Sequence, residues 1–245
     1  MAHTEEPGWL RAEREFRDDL PADGTAAELF KAGAESAVRE REAADDRQLV
    51  HAVRAMDDCR RTANELHERV AEWAGSRGWP EDAGAVAERE AGDPVERRLV
   101  GLAERAVDLD AEADALRGHV ERVAPSVAPN LAALAGPVLA ARLIALAGGL
   151  EDLARKPSGT VQVLGAEDAL FAHLQGGAPS PKHGVIYAHE YVRGTRPEQR
   201  GSAARALAGK LTIAARVDHY GGDRRPELDR ELDERIERVR ARGGS

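Results

Sequence analysis

The chain has 245 residues, with 35 Lys or Arg against 44 Asp or Glu and a formal charge of −9. Only 4% of its residues are aromatic and 32% are charged, and its apolar content leans on Ala. This excludes a large β-sandwich or barrel and favours helices built from Ala, Leu, Glu and Arg. The single cysteine, Cys59, rules out an intrachain disulfide and a multi-cysteine zinc site. The polar N-terminus carries no basic-then-apolar leader, so a cytoplasmic location is expected. Arginines number 31 against four lysines, a composition expected of a GC-rich genome and a salt-loving host. Charge is uneven: residues 1–124 carry net −12, residues 125–225 net +4, and residues 226–245 net −1. The middle segment therefore reverses the sign of the whole.

Residues 1–30 hold a few apolar anchors, such as Trp9 and Phe16, too few for a core, and read as a short lead-in. From 31 to 76 helix formers run without proline. Leu49, Val53, Met56, Cys59, Ala63, Leu66, Val70 and Trp73 recur there at steps of three and four, a heptad seam with one short step. Burial on this seam is the expected role of Cys59. After a Gly- and Pro-rich break at 75–94, Leu99, Leu102, Ala106, Leu109, Ala113, Leu116, Val120 and Val123 form a second seam without error. Each seam predicts a helix of about 37 Å, and two matched seams joined by a breaker predict an antiparallel coiled-coil hairpin.

Pro125 and Pro129 are expected to end the second helix. The stretch 131–150 is long enough to span a bilayer, but it is rich in Ala and Gly and interrupted by Pro137. Arg142 near its centre would cost roughly 2.5–3.5 kcal/mol in a membrane. A buried helix at 131–148 is the expectation, with no membrane partner. Then come a β-branched stretch at 160–164 closed by Gly165, a helix at 166–174, and a Gly/Pro loop. An extended segment at 184–192 and a long helix from about 197 to 217 follow. A charged helix at 227–240 carries a narrow seam of Leu228, Leu232, Ile236 and Val239. The fold class is all-α, divided as 1–45, 46–124, 125–225 and 226–245.

The common nucleotide-binding, zinc-protease and serine-hydrolase motifs are absent from the sequence. His173, His183 and His189 match no metal-ligand spacing, so no catalytic residue, metal or cofactor is assigned. Basic residues in 125–225 are more informative. Arg205, Thr212 and Arg216 fall on one helical face, opposite Leu207, Leu211, Ile213 and Ala214. Lys182 and His183 sit in a Pro/Gly-bounded loop, and Arg193, Arg196 and Arg200 gather at the helix start. Such cations suit phosphate contacts. They equally suit solubility or, for Arg205 and Arg216, internal salt bridges with Asp218 or Glu167.

The ordered runs Pro129-Asn130-Leu131-Ala132-Ala133-Leu134, Gln162-Val163-Leu164-Gly165-Ala166-Glu167, Pro181-Lys182-His183-Gly184-Val185-Ile186-Tyr187 and Ala204-Arg205-Ala206-Leu207-Ala208-Gly209-Lys210-Leu211-Thr212-Ile213-Ala214-Ala215-Arg216-Val217-Asp218 closely resemble the Nop domain. That domain is a helical RNA- and protein-binding module of archaeal box C/D small ribonucleoproteins. The stretches Leu49-Val50-His51-Ala52-Val53 and Arg69-Val70-Ala71-Glu72-Trp73 look like the family's first coiled-coil helix.

The resemblance implies a non-catalytic scaffold with three partners: a kink-turn guide RNA, the small kink-turn-binding core protein, and fibrillarin, which methylates ribose 2′-hydroxyls of rRNA and tRNA. It implies RNA or ribonucleoprotein contacts from Gly165, Ala166, Glu167, Lys182, His183, Arg200, Arg205, Lys210 and Arg216. It implies homodimerisation through Val53, Met56, Leu66, Val70, Leu102, Leu109 and Leu116. Three departures qualify it, one of them a shortened connection between the two coiled-coil helices. Residues 1–45 are short for the fibrillarin-docking domain, and Asp168 stands where the family has lysine, so position 168 is not expected to contact phosphate. The rival expectations are a helical dimerisation scaffold without RNA and a splicing-type Nop protein.

Overall fold

The computed structural model describes residues 44–167, 169 and 181–242. The described residues from Asp45 onward belong to one compact unit. The expected N-terminal lead-in and most of the expected helix at 166–174 lie outside the described residues.

Two long helices, α1 (Asp45–Ser76) and α3 (Pro94–Val127), are joined through the short α2 (Ala83–Ala87). Asp93 starts α3 by accepting the backbone N–H groups of Val95 and Glu96, with Pro94 in the first turn. The pair runs antiparallel: Arg77 meets Asp93, His67 meets Asp110, and Arg60 meets Asp114. Every seventh residue is buried, namely Leu49, Met56, Ala63 and Val70 on α1 with Leu99, Ala106, Ala113 and Val120 on α3. The small alanines allow close approach of the helices.

The two flanks of this seam differ. One is polar, where Arg60 and His67 hold Asp110 at 2.7 and 2.6 Å. The other is apolar and half-buried, with Ala52, Cys59, Leu66 and Trp73 beside Leu102, Leu109, Leu116 and Val123. Cys59 and four of the expected dimer residues thus lie beside the seam rather than in it. The expected dimer residues Val53, Met56 and Val70 are instead buried inside the chain's own core, where the hairpin packs on itself and on the body.

Behind the hairpin follow α4 (Pro129–Ala135), α5 (Pro137–Ala147), α6 (Leu150–Arg155), α7 (Ser158–Val163) and a 3-10 turn (Val185–Ala188). Then come α8 (Glu190–Arg193), α9 (Arg200–Tyr220) and α10 (Glu227–Ala241). One core runs from Leu49, Val53 and Val120 in the hairpin through Leu143 and Ile144 to Leu207 and Leu211. It crosses position 124 without a gap. Helix α9 is its axis, burying Ala203, Ala204, Leu207, Ala208, Leu211, Ala214 and Ala215.

Short helices cannot hold themselves, so distant acids cap them. Asp218 on α9 accepts the N–H groups of Asn130 and Leu131 at the start of α4, at 2.9 and 2.8 Å. Asp46 on α1 accepts Leu150 N–H at the start of α6, at 3.0 Å. The hairpin is further tied to the body by Arg142, which donates to Asp57, and by Arg54, which donates to the Ala145 carbonyl.

Several expected elements differ. Helix α3 continues through Pro125 to Val127 before Pro129 starts α4. The expected helix at 131–148 is two helices bent by 116°, because Gly136 takes φ +79° and Pro137 begins the next helix. Among the described residues no single helix is long and apolar enough to cross a membrane. The β-branched stretch at 160–164 is helical up to Val163, with Val161 buried in the core: packing overrides propensity. The expected extended segment at 184–192 is a 3-10 turn followed by α8.

Candidate nucleic-acid interface

Two motifs distant in sequence meet in one place. The N–H groups of Gly184 and Val185 donate to the carbonyls of Gln162 and Leu164, both at 2.9 Å. The Gln162 amide donates to the Lys182 carbonyl at 2.8 Å. Gly165, Ala166 and Glu167 are thereby set beside Lys182 and His183. Both glycines are required by this approach. Gly165 takes φ +79°, and a Cβ at Gly184 would lie 1.9 Å from the Leu164 carbonyl oxygen. Glu167 accepts the Gly165 N–H at 2.7 Å, fixing the turn. Lys182 is exposed and Ala166 half-buried. The half-buried His183 ring stacks on Tyr187 with centroids 4.5 Å apart. The Arg200 guanidinium lies 5.6 Å from the same tyrosine ring and donates to the carbonyls of Thr195 and Arg193.

Helix α9 supplies the second part. Its outward stripe reads Ser202, Arg205, Gly209, Ile213, Arg216 and Tyr220, at helical spacing. Ile213 is 41% exposed and Tyr220 71%, so apolar and cationic groups alternate. This corrects the expected face in two ways. Ile213 lies between the arginines rather than opposite them, and Thr212 is buried with its hydroxyl donating to the Ala208 carbonyl. The internal salt bridges suggested for the arginines are absent from the described residues. Arg216 donates to the Ala154 carbonyl at 3.0 Å, Asp218 serves α4, and Arg205 extends into solvent. Lys210 is paired with Glu231 on α10, and its hydrogen bond holds that carboxyl below the ordinary glutamate value. Sequence reasoning missed Tyr187, whose signal was its place four residues after His183, and Tyr220.

A groove of about 700 Å³ opens between α1, α5 and the 3-10 turn, lined by Val53, Leu139, Leu146, Val185 and Tyr187, with Arg142 and Asp57 at its edge. Leu146 is 44% exposed there. The same tyrosine therefore borders both an apolar groove and the Lys182–His183 loop. No cluster of three potential metal ligands exists among the described residues. His189 acts structurally: its Nδ1 accepts Tyr191 N–H and its Nε2 donates to the Leu134 carbonyl. His173 lies outside the described residues.

The model of the Nop family, whose description reads "snoRNA binding domain, fibrillarin", matches residues 48–240. The chain belongs to the Nop family. It is 49% identical over 142 residues to a NOP5 family protein of Methanocaldococcus jannaschii, covering 58% of this chain and 34% of that one. It is 39% identical over 137 residues to nucleolar protein 58 of Candida albicans, covering 56% of this chain and 27% of that protein. Nucleolar protein 56 of Schizosaccharomyces pombe is 38% identical over 122 residues, covering 50% and 24%. The chain thus spans about a third or less of these curated relatives. A crystal structure of a fibrillarin/Nop5p complex contains a chain that superposes with a TM-score of 0.61 at 25% identity, over 93% of this chain and 84% of that one. The all-helical architecture of this Nop protein accords with that neighbour.

Proposed function

We propose that this Nop protein is a non-catalytic scaffold of a box C/D ribonucleoprotein. It grips a kink-turn guide RNA together with the small core protein bound to it, and it brings fibrillarin to the target ribose for 2′-O-methylation of rRNA and tRNA. The observation that carries this reading is the adjacency of cations and apolar groups. The Lys182–His183 loop borders an apolar groove, and Arg205, Ile213, Arg216 and Tyr220 alternate along α9. A surface for RNA alone needs cations and stacking groups, and a surface for protein alone needs apolar anchors. A composite target uses both. Fibrillarin recruitment draws on the fibrillarin/Nop5p complex that contains the superposing chain, and homodimerisation on the apolar flank of the hairpin.

The test is a titration of the full chain against kink-turn RNA, with and without the core protein, read by filter binding. Wild type should join the RNA–protein complex, and Lys182→Ala or Arg205→Ala should weaken joining by about tenfold each without changing helical content. That loss corresponds to one charge-assisted contact of about 1.4 kcal/mol. Unchanged assembly in both variants would remove these residues from the interface. A chain that dimerises and never joins RNA would instead be the helical scaffold.

A further inference from the structure

By sequence α10 is a charged tail outside the RNA-binding segment. In the fold it packs on α9 through Leu228, Leu232, Ile236 and Val239, all buried. The flank beside that buried stripe forms, with α9, a groove of about 430 Å³. Four cations line it, Arg205 and Lys210 from α9 with Arg235 and Arg238 from α10, against two carboxylates, Glu231 and Glu234. Lys210 neutralises Glu231, so three guanidinium groups face one remaining carboxylate. Arg238 is steadied by donating from Nε to the Glu234 carbonyl at 3.2 Å. Arg235 and Arg238 are exposed and stand three residues apart, hence about 5–6 Å between Cβ atoms along one face. The floor is low at Gly209, where a Cβ would meet nothing within 4 Å.

We propose that this groove is a further RNA contact. A stretch of the guide RNA's phosphodiester backbone crosses α9 at Arg205 and continues over Arg235 and Arg238 of α10. The inference rests on the RNA-binding reading above and extends it to a helix that reading does not use. Three features favour a polyanion. The groove is cationic in a chain of net charge −9, its guanidinium forks suit phosphate oxygens, and it is continuous with Arg205. The open Gly209 floor lets a backbone approach closely.

The experiment uses the full chain and a kink-turn RNA with flanking duplex, with and without the core protein, titrated across salt concentrations. Arg235→Gln/Arg238→Gln should lower the slope of log K against log salt by about two, one for each lost phosphate contact. Affinity at low salt should fall about tenfold or more. Gly209→Gln fills the groove while improving helix propensity, and it should weaken binding at least fivefold with no lower melting temperature. An unchanged slope and affinity in both variants, alongside a loss in Arg205→Ala, would overturn this inference and leave the broader reading standing. A loss seen only with the core protein present would assign the groove to protein and overturn the RNA contact. Failure of wild type to bind RNA in any arm would remove both.

Discussion

Asp218 shows how one residue fixes a whole region. Its carboxylate is 8% exposed and accepts the backbone N–H of Asn130, the backbone N–H of Leu131 and the Asn130 side-chain amide. Asn130 then accepts Arg225 N–H and donates to the Asp223 carbonyl, closing the turn after α9. Replacing the acid orphans several buried donors, each worth about 1–3 kcal/mol. Asp218→Ala should therefore lower unfolding stability by about 3 kcal/mol in urea melts, and Asp218→Asn by less, since one acceptor oxygen remains. A loss under 1 kcal/mol would show that water replaces the carboxylate. His189 makes a second prediction at this scale. Burial pushes its imidazole below the ordinary histidine value, opposed by its hydrogen bond to the Leu134 carbonyl and the nearby Glu190 charge. The folded state thus prefers the neutral ring, whose Nδ1 lone pair caps α8. Its contribution is complete above the unfolded value of about 6.5 and declines as pH falls from there through the lower folded-state value. The difference in urea midpoint between wild type and His189→Asn should shrink on going from pH 7.5 to pH 5. A constant difference would mean the ring does not titrate in that window.

At the scale of elements, the hairpin seam was legible because its apolar spacing is regular and long. What spacing left open was which of two adjacent stripes closes the hairpin. Leu66, Leu102, Leu109 and Leu116 share the heptad with Leu49, Leu99 and Ala106, yet the small Ala63, Ala106 and Ala113 permit the tighter contact and displace the leucines to the flank. Ile213 is a different case: the helical period itself sets it on the outward stripe, eight residues after Arg205 and three before Arg216, and the alanines of α9 fill the inner face, so its expected place opposite the arginines does not follow from the spacing. The helical state of the β-branched run around Val161 depends on packing against α9 that no local pattern encodes, whereas the bend at Gly136 is local, a left-handed glycine followed by a first-turn proline. The loop motifs were legible as residues, whereas their meeting across Leu164 and Gly184 was visible only in three dimensions. The flank stripe runs from Val95 to Val123 at seven-residue spacing, about 42 Å of helix, with Val95 44% exposed. If a second copy covers it, Leu109→Glu places a charge at its middle and should shift the chain from dimer to monomer in light scattering, with helicity retained. Leu99→Ala, inside the hairpin, should instead cost about 2–5 kcal/mol of stability. A dimer that survives Leu109→Glu would place the interface elsewhere.

For the whole molecule the governing quantity is how a chain of charge −9 holds a polyanion. Its long-range field repels RNA, so attraction must come from groups at contact distance. Among the cations of the proposed footprint, Arg200 is half-buried and tethered to two backbone carbonyls, and Lys210 is spent on Glu231, whereas Arg216 gives only its Nε to the Ala154 carbonyl and stays exposed. Lys182, Arg205 and Arg216 remain on the central surface, with Arg235 and Arg238 in the α9–α10 groove. Five phosphate contacts set a slope of log K against log salt no steeper than about −5. The Debye length is roughly 3 Å at 1 M salt, and there these contacts contribute little. The apolar groups do not fade in the same way: Leu146, Ile213 and Tyr220 gain from burial against protein regardless of screening. Binding to naked kink-turn RNA should therefore collapse by about four to five orders of magnitude between roughly 0.1 and 1 M salt, while joining to RNA already carrying its core protein should persist into molar salt with a shallower slope. Tight binding to naked RNA at molar salt would show that shape and stacking on the His183–Tyr187 pair, rather than the protein cap, supply the missing attraction.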